Sequence, residues 1–404
     1  MRKINLGIVG LGQRGRTLLG VLKKIDMVNV VAICDTYEDR VQNTYEDLCK
    51  VGFNPAKYNS FDEFIKNKDV EAVFISTSWK HHVKMAIACM EAGKKTAMEV
   101  GGARTVEECY QLVEAYERTK TPFFFLENCC YDEFELLATR LARTGFFGNI
   151  VHCKGAYSHD LRDEILGGKV NRHYRLEEYI EFNCDNYPTH ELGPIAKLLN
   201  VNRGNRMVSL VSVASKAQGL TDFSYTEKNP DSTLAGKTFK QGDIVNTVIT
   251  CENGETILLT LDTTLPGFYS RDFTVRGTKG FALQEINAIY NEKDKKEELF
   301  TPSESVKKLI DSANKYREYL PDYWRNITEE ERKGAHGGMD YFMCTEALKY
   351  FIEGGESPID VYDAVSWMVI TALTQKSIER LGQPIEIPDF TSGKWKTRPS
   401  KDVI

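Results

Sequence analysis

The chain has 404 residues, of which 42% are hydrophobic and 27% charged. This is ordinary globular composition, and at ~150 residues per domain the length predicts two or three domains with full cores. The 52 basic residues against 58 acidic ones leave a net charge of −6 without any basic block, which speaks against a nucleic-acid partner. No apolar run reaches the ~18 residues of a membrane span, so no membrane partner is expected. The chain enters a strand almost at once, and no signal peptide is expected. Of the ten cysteines, Cys34, Cys89, Cys153 and Cys251 sit inside apolar runs, as buried reduced thiols do. The Cys129-Cys130 pair is adjacent and lacks the C-x-x-C spacing of zinc or redox motifs. A cytoplasmic protein is expected.

Lys3 to Val9 is a short apolar run rich in β-branched residues. It leads into Gly10-Leu11-Gly12-Gln13-Arg14-Gly15, and a helical pattern follows from Thr17 to about Ile25. Strand, G-x-G-x-x-G, helix is the order in which a dinucleotide is bound. Gly10 allows the tight turn, Gly12 the approach of a pyrophosphate, and Gly15 close helix–strand packing. The helix start, including Gln13 and Arg14, offers N–H groups to the phosphates. A second strand, Val28 to Cys34, ends at Asp35, about 20 residues past the motif, where a carboxylate meets the adenosine ribose. Asp35 would repel a 2′-phosphate, so NAD is expected over NADP; Arg40 is the one nearby cation that argues otherwise. The alternative is a βαβ unit that merely contains glycines.

The α/β rhythm continues. Strands are predicted at Val70–Ile75, Lys95–Met98 and Pro122–Leu126, with helices at His82–Ala92 and Val106–Arg118. Such alternation predicts a parallel sheet with helices on both faces. Ligands of these sheets lie at the carboxyl ends of the strands. That directs attention to Ser76-Thr77-Ser78-Trp79 and the following His82, to Glu99-Val100-Gly101, and to Glu127-Asn128.

The rhythm changes after about residue 130. A helix at Glu133–Arg143 and a strand at Ile150–Ala156 are followed by strands at Met207–Lys216, Asp243–Glu252, Glu255–Asp262, Asp272–Arg276 and Gly280–Gln284. Asn253-Gly254 is a hairpin signal between two of them. Residues 291–332 are charged and are expected to be a surface insertion, and helices are predicted at 339–352 and 361–381. The expected organisation is an N-terminal Rossmann domain over 1–128 and a C-terminal α+β domain over 129–404 with a mostly antiparallel open sheet. The free face of that sheet could pack against a second copy of the chain.

Chemistry-bearing groups concentrate in a few segments. Asn183 to Pro194 packs Tyr187, His190 and two acids ahead of a helix. An imidazole there can act as a general base on an alcohol, or can simply sit in a cap region. Glu127 either faces a substrate or forms an edge salt bridge. Tyr157 to Arg162 ends a strand with more polar groups than a turn needs. His336-Gly337-Gly338-Met339-Asp340 offers either a site or a plain helix entry, and the loop carrying Tyr269 is a site or an exposed turn. His81 and His82 are adjacent, so their rings diverge on a helix and no metal site is expected.

These residues together resemble the Gfo/Idh/MocA oxidoreductases and, within them, glycoside hydrolase family 109, the NAD-dependent N-acetylgalactosaminidases. The resemblance runs over nearly the whole chain. It is carried by Met98-Glu99-Val100, Glu127-Asn128-Cys129-Cys130-Tyr131, Tyr157-Ser158-His159-Asp160-Leu161-Arg162, Tyr187-Pro188-Thr189-His190, Asn202-Arg203-Gly204 and His336-Gly337-Gly338-Met339-Asp340-Tyr341. Sugar dehydrogenases of this fold carry Glu-Lys-Pro where this chain has Glu99-Val100-Gly101, and Val100 cannot move a proton. The resemblance implies functional positions at Glu127, Tyr157, Tyr187, His190 and Tyr269. A further departure is Glu191, where the family usually has Gly; an added carboxylate beside His190 bears on the sugar preference.

The implied reaction departs from the usual two-carboxylate glycosidase. The sugar's C3 is oxidised by enzyme-bound NAD, the ketone acidifies C2, loss of that proton expels the aglycone from C1, water adds, and C3 is reduced again. His190 is expected to take the O3 proton with Tyr187 in the relay, Tyr157 and Tyr269 to serve C2 or the leaving group, and Glu127 to orient hydroxyls. Two other readings stay open: a net NAD-dependent sugar or cyclitol dehydrogenase, and a non-catalytic NAD-binding regulator.

Overall fold

The computed structural model describes residues 2–294 and 301–404, so the part of the charged stretch at 295–300 lies outside the described residues. The chain divides into two compact units, Met1–Tyr131 with Thr328–Val369 and Val403–Ile404, and Asp132–Ile327 with Ile370–Asp402.

The first unit is built on six parallel strands: β1 (Ile4–Val9), β2 (Val28–Cys34), β3 (Ala56–Tyr58), β4 (Ala72–Ile75), β5 (Lys95–Glu99) and β6 (Phe123–Leu126). Their order is β3-β2-β1-β4-β5-β6. The strand order therefore reverses between β1 and β4, the position at which such sheets bind ligands. The central strands are almost uniformly apolar because helices cover both faces, and β4 and β6 are buried at every residue. The helix Val106–Thr119 opens with a capping box, Thr105 Oγ1 accepting the Glu108 N–H at 3.1 Å and Glu108 Oε2 the Thr105 N–H at 3.2 Å. Both the Gln13–Leu22 helix and the turn after β6 pack against the helix Met339–Glu353, so a segment late in the chain completes this unit.

The second unit holds an eight-stranded sheet: β7 (Ile150–Ser158), β8 (Met207–Ala214), β9 (Ile244–Cys251), β10 (Thr256–Asp262), β11 (Thr274–Gly277), β12 (Gly280–Leu283), β13 (Ala288–Asn291) and β14 (Ile385–Glu386). The order is β13-β12-β11-β7-β10-β9-β8-β14. Every pairing is antiparallel except β7 with β10. β9 alternates buried and exposed residues, as a strand with one covered face must. The helix Thr189–Leu198 lies on the covered face against β7. Within the charged stretch, Leu320 and Trp324 are buried, and Arg317 Nη1 donates to Glu133 Oε1 at 2.6 Å.

Candidate active site

In the first unit the β1–helix turn is shaped by close backbone approach. Gly10 has φ +91°, and a Cβ there would lie 2.5 Å from the Ser76 carbonyl oxygen. A Cβ on Gly15 would lie 1.9 Å from the Gly10 carbonyl oxygen, so helix and strand touch at this point. Gly12 is the cap residue of the Gln13–Leu22 helix; no side chain caps that end, and its first turn carries no acid. These first-turn N–H groups sit at the positive end of the helix, which suits an anion. Asp35 ends β2 buried, with Oδ2 accepting the Leu11 N–H at 2.7 Å and Oδ1 the Tyr37 N–H at 2.9 Å. The carboxylate is thereby aimed by the loop itself. Arg40 Nη1 stands 3.8 Å from Asp35 Oδ2. An uncapped helix start, a side-chain-free Gly12 and an oriented acid together fit a dinucleotide.

A buried ionic network lies beside this turn. Arg14 Nε donates to Glu99 Oε1 at 2.8 Å, Nη1 to Asp340 Oδ2 at 2.6 Å and Nη2 to Asp340 Oδ1 at 3.0 Å. Asn128 Nδ2 donates to Asp340 Oδ1 at 2.8 Å, and His336 Nδ1 lies 2.8 Å from Asp340 Oδ2. Burial works to raise both carboxyls. The bidentate Arg14 contact and His336 override it at Asp340, which is held far below the usual carboxylate range, whereas Glu99 stays raised. The Arg14 side chain is thus committed to anchoring Glu99 and Asp340, and through Asp340 the amide of Asn128. His82 is fully buried with Nε2 2.9 Å from the Thr77 carbonyl oxygen, and burial lowers it to about 4. It is a neutral strut for the turn after β4, which also carries half-buried Thr77 and buried Trp79. Glu127 is fully buried and accepts the Cys129 N–H at 3.0 Å.

In the second unit five aromatic groups converge. The rings of Tyr157 and Tyr187 are 4.7 Å apart, Tyr187 and His190 4.7 Å, and Tyr157 and His190 5.6 Å. Tyr269 stands 6.3 Å from Tyr157 and 5.4 Å from His159. β7 supplies Tyr157 at its last turns, and the segment entering the Thr189–Leu198 helix supplies Tyr187 and His190. Pro194 lies inside that helix and has no N–H to close on the His190 carbonyl. Charged groups hold the cluster from behind. The Arg175 guanidinium lies 5.2 Å from the Tyr187 ring and 3.2 Å from Glu164 Oε1. Arg271 Nη1 donates to Tyr269 Oη at 2.9 Å, while the same guanidinium meets Asp132 at 2.9 Å and Glu135 at 2.7 Å. Burial and the Arg175 charge lower the His159 imidazole, which favours its neutral form. Phenols and imidazoles packed this way present both apolar ring faces and proton-transferring edges.

Glycosyl hydrolase 109, C-terminal domain, matches residues 131–397, and an oxidoreductase-family NAD-binding Rossmann fold matches residues 4–126. The chain belongs to glycosyl hydrolase family 109. Its family-109 relatives include a protein of Stenotrophomonas maltophilia, 35% identical over 98% of this chain and 91% of that one. Proteins named alpha-N-acetylgalactosaminidase from Bacteroides fragilis and Tannerella forsythia are 37% and 33% identical, each over 97% of this chain and over 93% and 87% of their own lengths. Among solved structures, an Agrobacterium radiobacter oxidoreductase in complex with NAD+, L-tartaric acid and magnesium aligns with TM-score 0.70 at 12% identity, covering 95% of this chain and 98% of that one. A levoglucosan dehydrogenase aligns with TM-score 0.69 at 18% identity, covering 96% and 100%. These two show the shared fold. This family-109 chain is therefore a glycosidase-family enzyme with an NAD-binding Rossmann unit.

Of the residues singled out from sequence, Tyr157, Tyr187, His190 and Tyr269 stand together in the second unit, whereas Glu127 belongs to the first. Gly10, Gly12, Gln13, Arg14, Gly15 and Asp35 share the β1–β2 turn region. Glu99 and Asn128 meet Arg14 and Asp340 in one network; Thr77 lies in the turn after β4, and Trp79 and His82 in the first turn of the helix Trp79–Glu91 that follows it. Sequence reasoning passed over Arg175, Arg271, Asp185 and the anchoring role of Asp340. A buried cation among aromatics carries no local spacing signal; Asp185, Arg271 and Asp340 lie in segments already noted, but nothing in their spacing marks them as buried anchors.

Proposed function

We propose that this enzyme hydrolyses α-N-acetylgalactosaminides, or closely related glycosides, through transient oxidation at C3 of the sugar. The observation that carries the reading is the Tyr157–Tyr187–His190 triangle in a family-109 chain whose first unit is an NAD-binding Rossmann unit. The names of the two relatives support the sugar. When bound, NAD+ supplies the oxidising power by accepting a hydride from the sugar and returning it at the end of the cycle. The phosphates would be held by Gly10, Gly12, Gln13, Arg14 and Gly15, with Asp35 on the adenosine ribose favouring NAD over NADP. Thr77, Trp79, His82, Glu99 and Asn128 complete the cofactor set.

His190 takes the O3 proton as C3 becomes a ketone, with the Tyr187 phenol in the relay. The ketone delocalises the charge left when C2 gives up its proton, and that electron pair expels the aglycone oxygen from C1. Tyr157 or Tyr269, as a phenolate, accepts the C2 proton or, as a phenol, protonates the leaving oxygen. Water then adds across C1 and C2, and His190 returns its proton to O3 as C3 is reduced. Glu127 orients sugar or ribose hydroxyls. The absence of a lysine at Val100 supports His190 as the base.

The whole chain would act in the cytoplasm on an imported small glycoside, with residues 1–128 and 129–404 as cofactor and substrate domains, except that Thr328–Val369 packs with the cofactor side. No helix among the described residues is long and apolar enough to cross a membrane. On the open face of the second sheet, Val211, Val248 and Leu258 lie side by side on β8, β9 and β10, which supports self-association through that face.

The test is proton NMR in D₂O with aryl α- and β-N-acetylgalactosaminides, with NADH absorbance followed in parallel. Aglycone release with deuterium at C2 and no accumulating NADH is expected. NADH building up with the glycosidic bond intact would replace this reading with a plain dehydrogenase.

A further inference from the structure

Directly beneath the aromatic cluster lies a pair of acids that the proposed chemistry does not use. Asp185 and Glu191 are 0% and 1% exposed. Their carboxyls hydrogen-bond to each other. Two carboxylates offer only acceptors, so this contact requires a proton between them. The remaining contacts reach the backbone of the site. Glu191 Oε2 accepts the Thr260 N–H at 3.0 Å, and the same carboxyl accepts the Tyr157 N–H. Those two N–H groups come from β10 and β7, the one parallel pair of the sheet. Asp185 Oδ1 accepts the Tyr187 N–H at 3.3 Å, and the Asp185 N–H donates to Thr374 Oγ1 at 3.0 Å. Among the described residues Glu191 Oε1 and Asp185 Oδ2 meet no hydrogen-bond donor, which leaves them to share the proton.

Gly155 makes this arrangement possible. A Cβ there would lie 2.4 Å from the Glu191 carbonyl oxygen, so the helix can press its first turn onto β7 only because residue 155 has no side chain. The close approach carries the Glu191 carboxyl down to the Tyr157 peptide.

We propose that Asp185 and Glu191 are positioning residues of this site, one shared proton linking the peptide of Tyr157 to the peptide of Tyr187 and so setting the ring of Tyr157 against those of Tyr187 and His190. Burial raises both carboxyls, and the Asp185 charge pushes Glu191 up further, so the pair holds one proton between them. With that proton on Glu191, its O–H donates to Asp185 and its carbonyl oxygen accepts the backbone N–H groups. A glutamine reproduces that pattern, its amide N–H donating and its carbonyl accepting.

The inference rests on the glycosidase reading for its kinetic test, which compares Glu191→Gln with Glu191→Ala in the full-length holoenzyme. Glu191→Gln is expected to keep kcat near the wild-type value. Glu191→Ala is expected to lose about 10- to 100-fold in kcat with a smaller change in KM, as a small misplacement of reacting groups does. Equal damage in both variants, or wild-type kcat in Glu191→Ala, would overturn the proposal. A second measurement needs neither activity nor the alanine variant to fold. The infrared difference spectrum of wild type minus Glu191→Gln at neutral pH is expected to contain a protonated-carboxyl C=O band. Its absence would overturn the shared proton. Wild-type enzyme that cleaves no glycoside yet shows the band would sink the glycosidase reading and leave the carboxyl pair standing.

Discussion

In the first unit Glu99 and Asp340 are buried around one guanidinium, that of Arg14. In the second, Asp185 and Glu191 are buried against each other with a proton between them. Both arrangements remove the cost of burying a bare carboxylate, but by different means. The cation in the first keeps its charge at every accessible pH, so it fixes Glu99 and, through Asp340, Asn128 for as long as those carboxyls are ionised. The proton in the second can be lost. The acid pair of the first unit is thus held by permanent charge and the pair beside His190 by a proton that titrates, while Arg175 and Arg271 brace the aromatic rings of the same cluster. A site that passes protons is built on a frame that itself depends on one.

Three substitutions and one pH series separate these two frames. The largest effect belongs to the chemistry itself. His190→Ala is expected to reduce turnover by about 10²- to 10⁴-fold, the usual contribution of a general base, and to abolish reduction of bound NAD+ when substrate is added. Stopped-flow absorbance at the NADH band reads this directly; a full signal in the variant removes His190 from the role. Next is Arg14→Met, which leaves Glu99 and Asp340 buried without their cation. Breaking a buried pair in this way costs about 3–5 kcal/mol, here toward the lower end because Arg14 is a quarter exposed. Urea unfolding followed by circular dichroism should show the loss. The tyrosine cluster should be unaffected in a fragment-independent probe such as the aromatic NMR signals of Tyr157 and Tyr187. Smaller again is Gly155→Ala. Its Cβ would meet backbone, which cannot swing aside, so about 1–3 kcal/mol of overpacking is expected. If the helix instead moves away, the Glu191 carboxyl leaves the Tyr157 peptide and kcat falls along with Tm.

The same contrast explains what the sequence made legible. Gly10 to Gly15 and Asp35 could be read because their chemistry lies within one turn and at a set spacing. The strands β1, β2, β5, β6 and β7 and the helix Glu133–Arg143 were visible in their periodicity, since each buries a continuous face. β3, with its three mostly exposed residues, and the two-residue β14 carry no such pattern. Asn128 and Glu127 were flagged through their place after β6. What anchors Asn128 was not, because Arg14 and Asp340 are 326 positions apart and meet only through the fold. Asp185 and Glu191 flank His190 within a few residues, yet nothing in the sequence says that both are buried; that follows from the approach of the helix to Gly155. The parallel pairing of β7 with β10, which aims two N–H groups at Glu191, is equally invisible in a half whose other pairings are antiparallel.

The smallest expected effect is the most diagnostic of the two frames. A carboxyl whose folded pKa is depressed, such as Asp340, adds stability above its unfolded value that disappears as pH falls through the folded one. A carboxyl whose folded pKa is raised behaves in reverse. Its contribution is complete below the unfolded value and is lost as pH rises through the folded one. Glu191 is of the second kind and Asp185 follows it, raised to about 6. Wild-type Tm should therefore decline as pH climbs out of the ordinary carboxyl range, through about 6 and beyond, as a second negative charge is forced into the buried pair. Glu191→Gln carries the neutral hydrogen-bonding pattern at every pH. Its Tm relative to wild type should rise steadily as pH climbs, while below the ordinary carboxyl range, where both proteins lose the Asp340 contribution equally, the two curves should run together. A difference that stays constant with pH would mean that the pair does not share a titrating proton, and the two units would then be held by the same kind of frame.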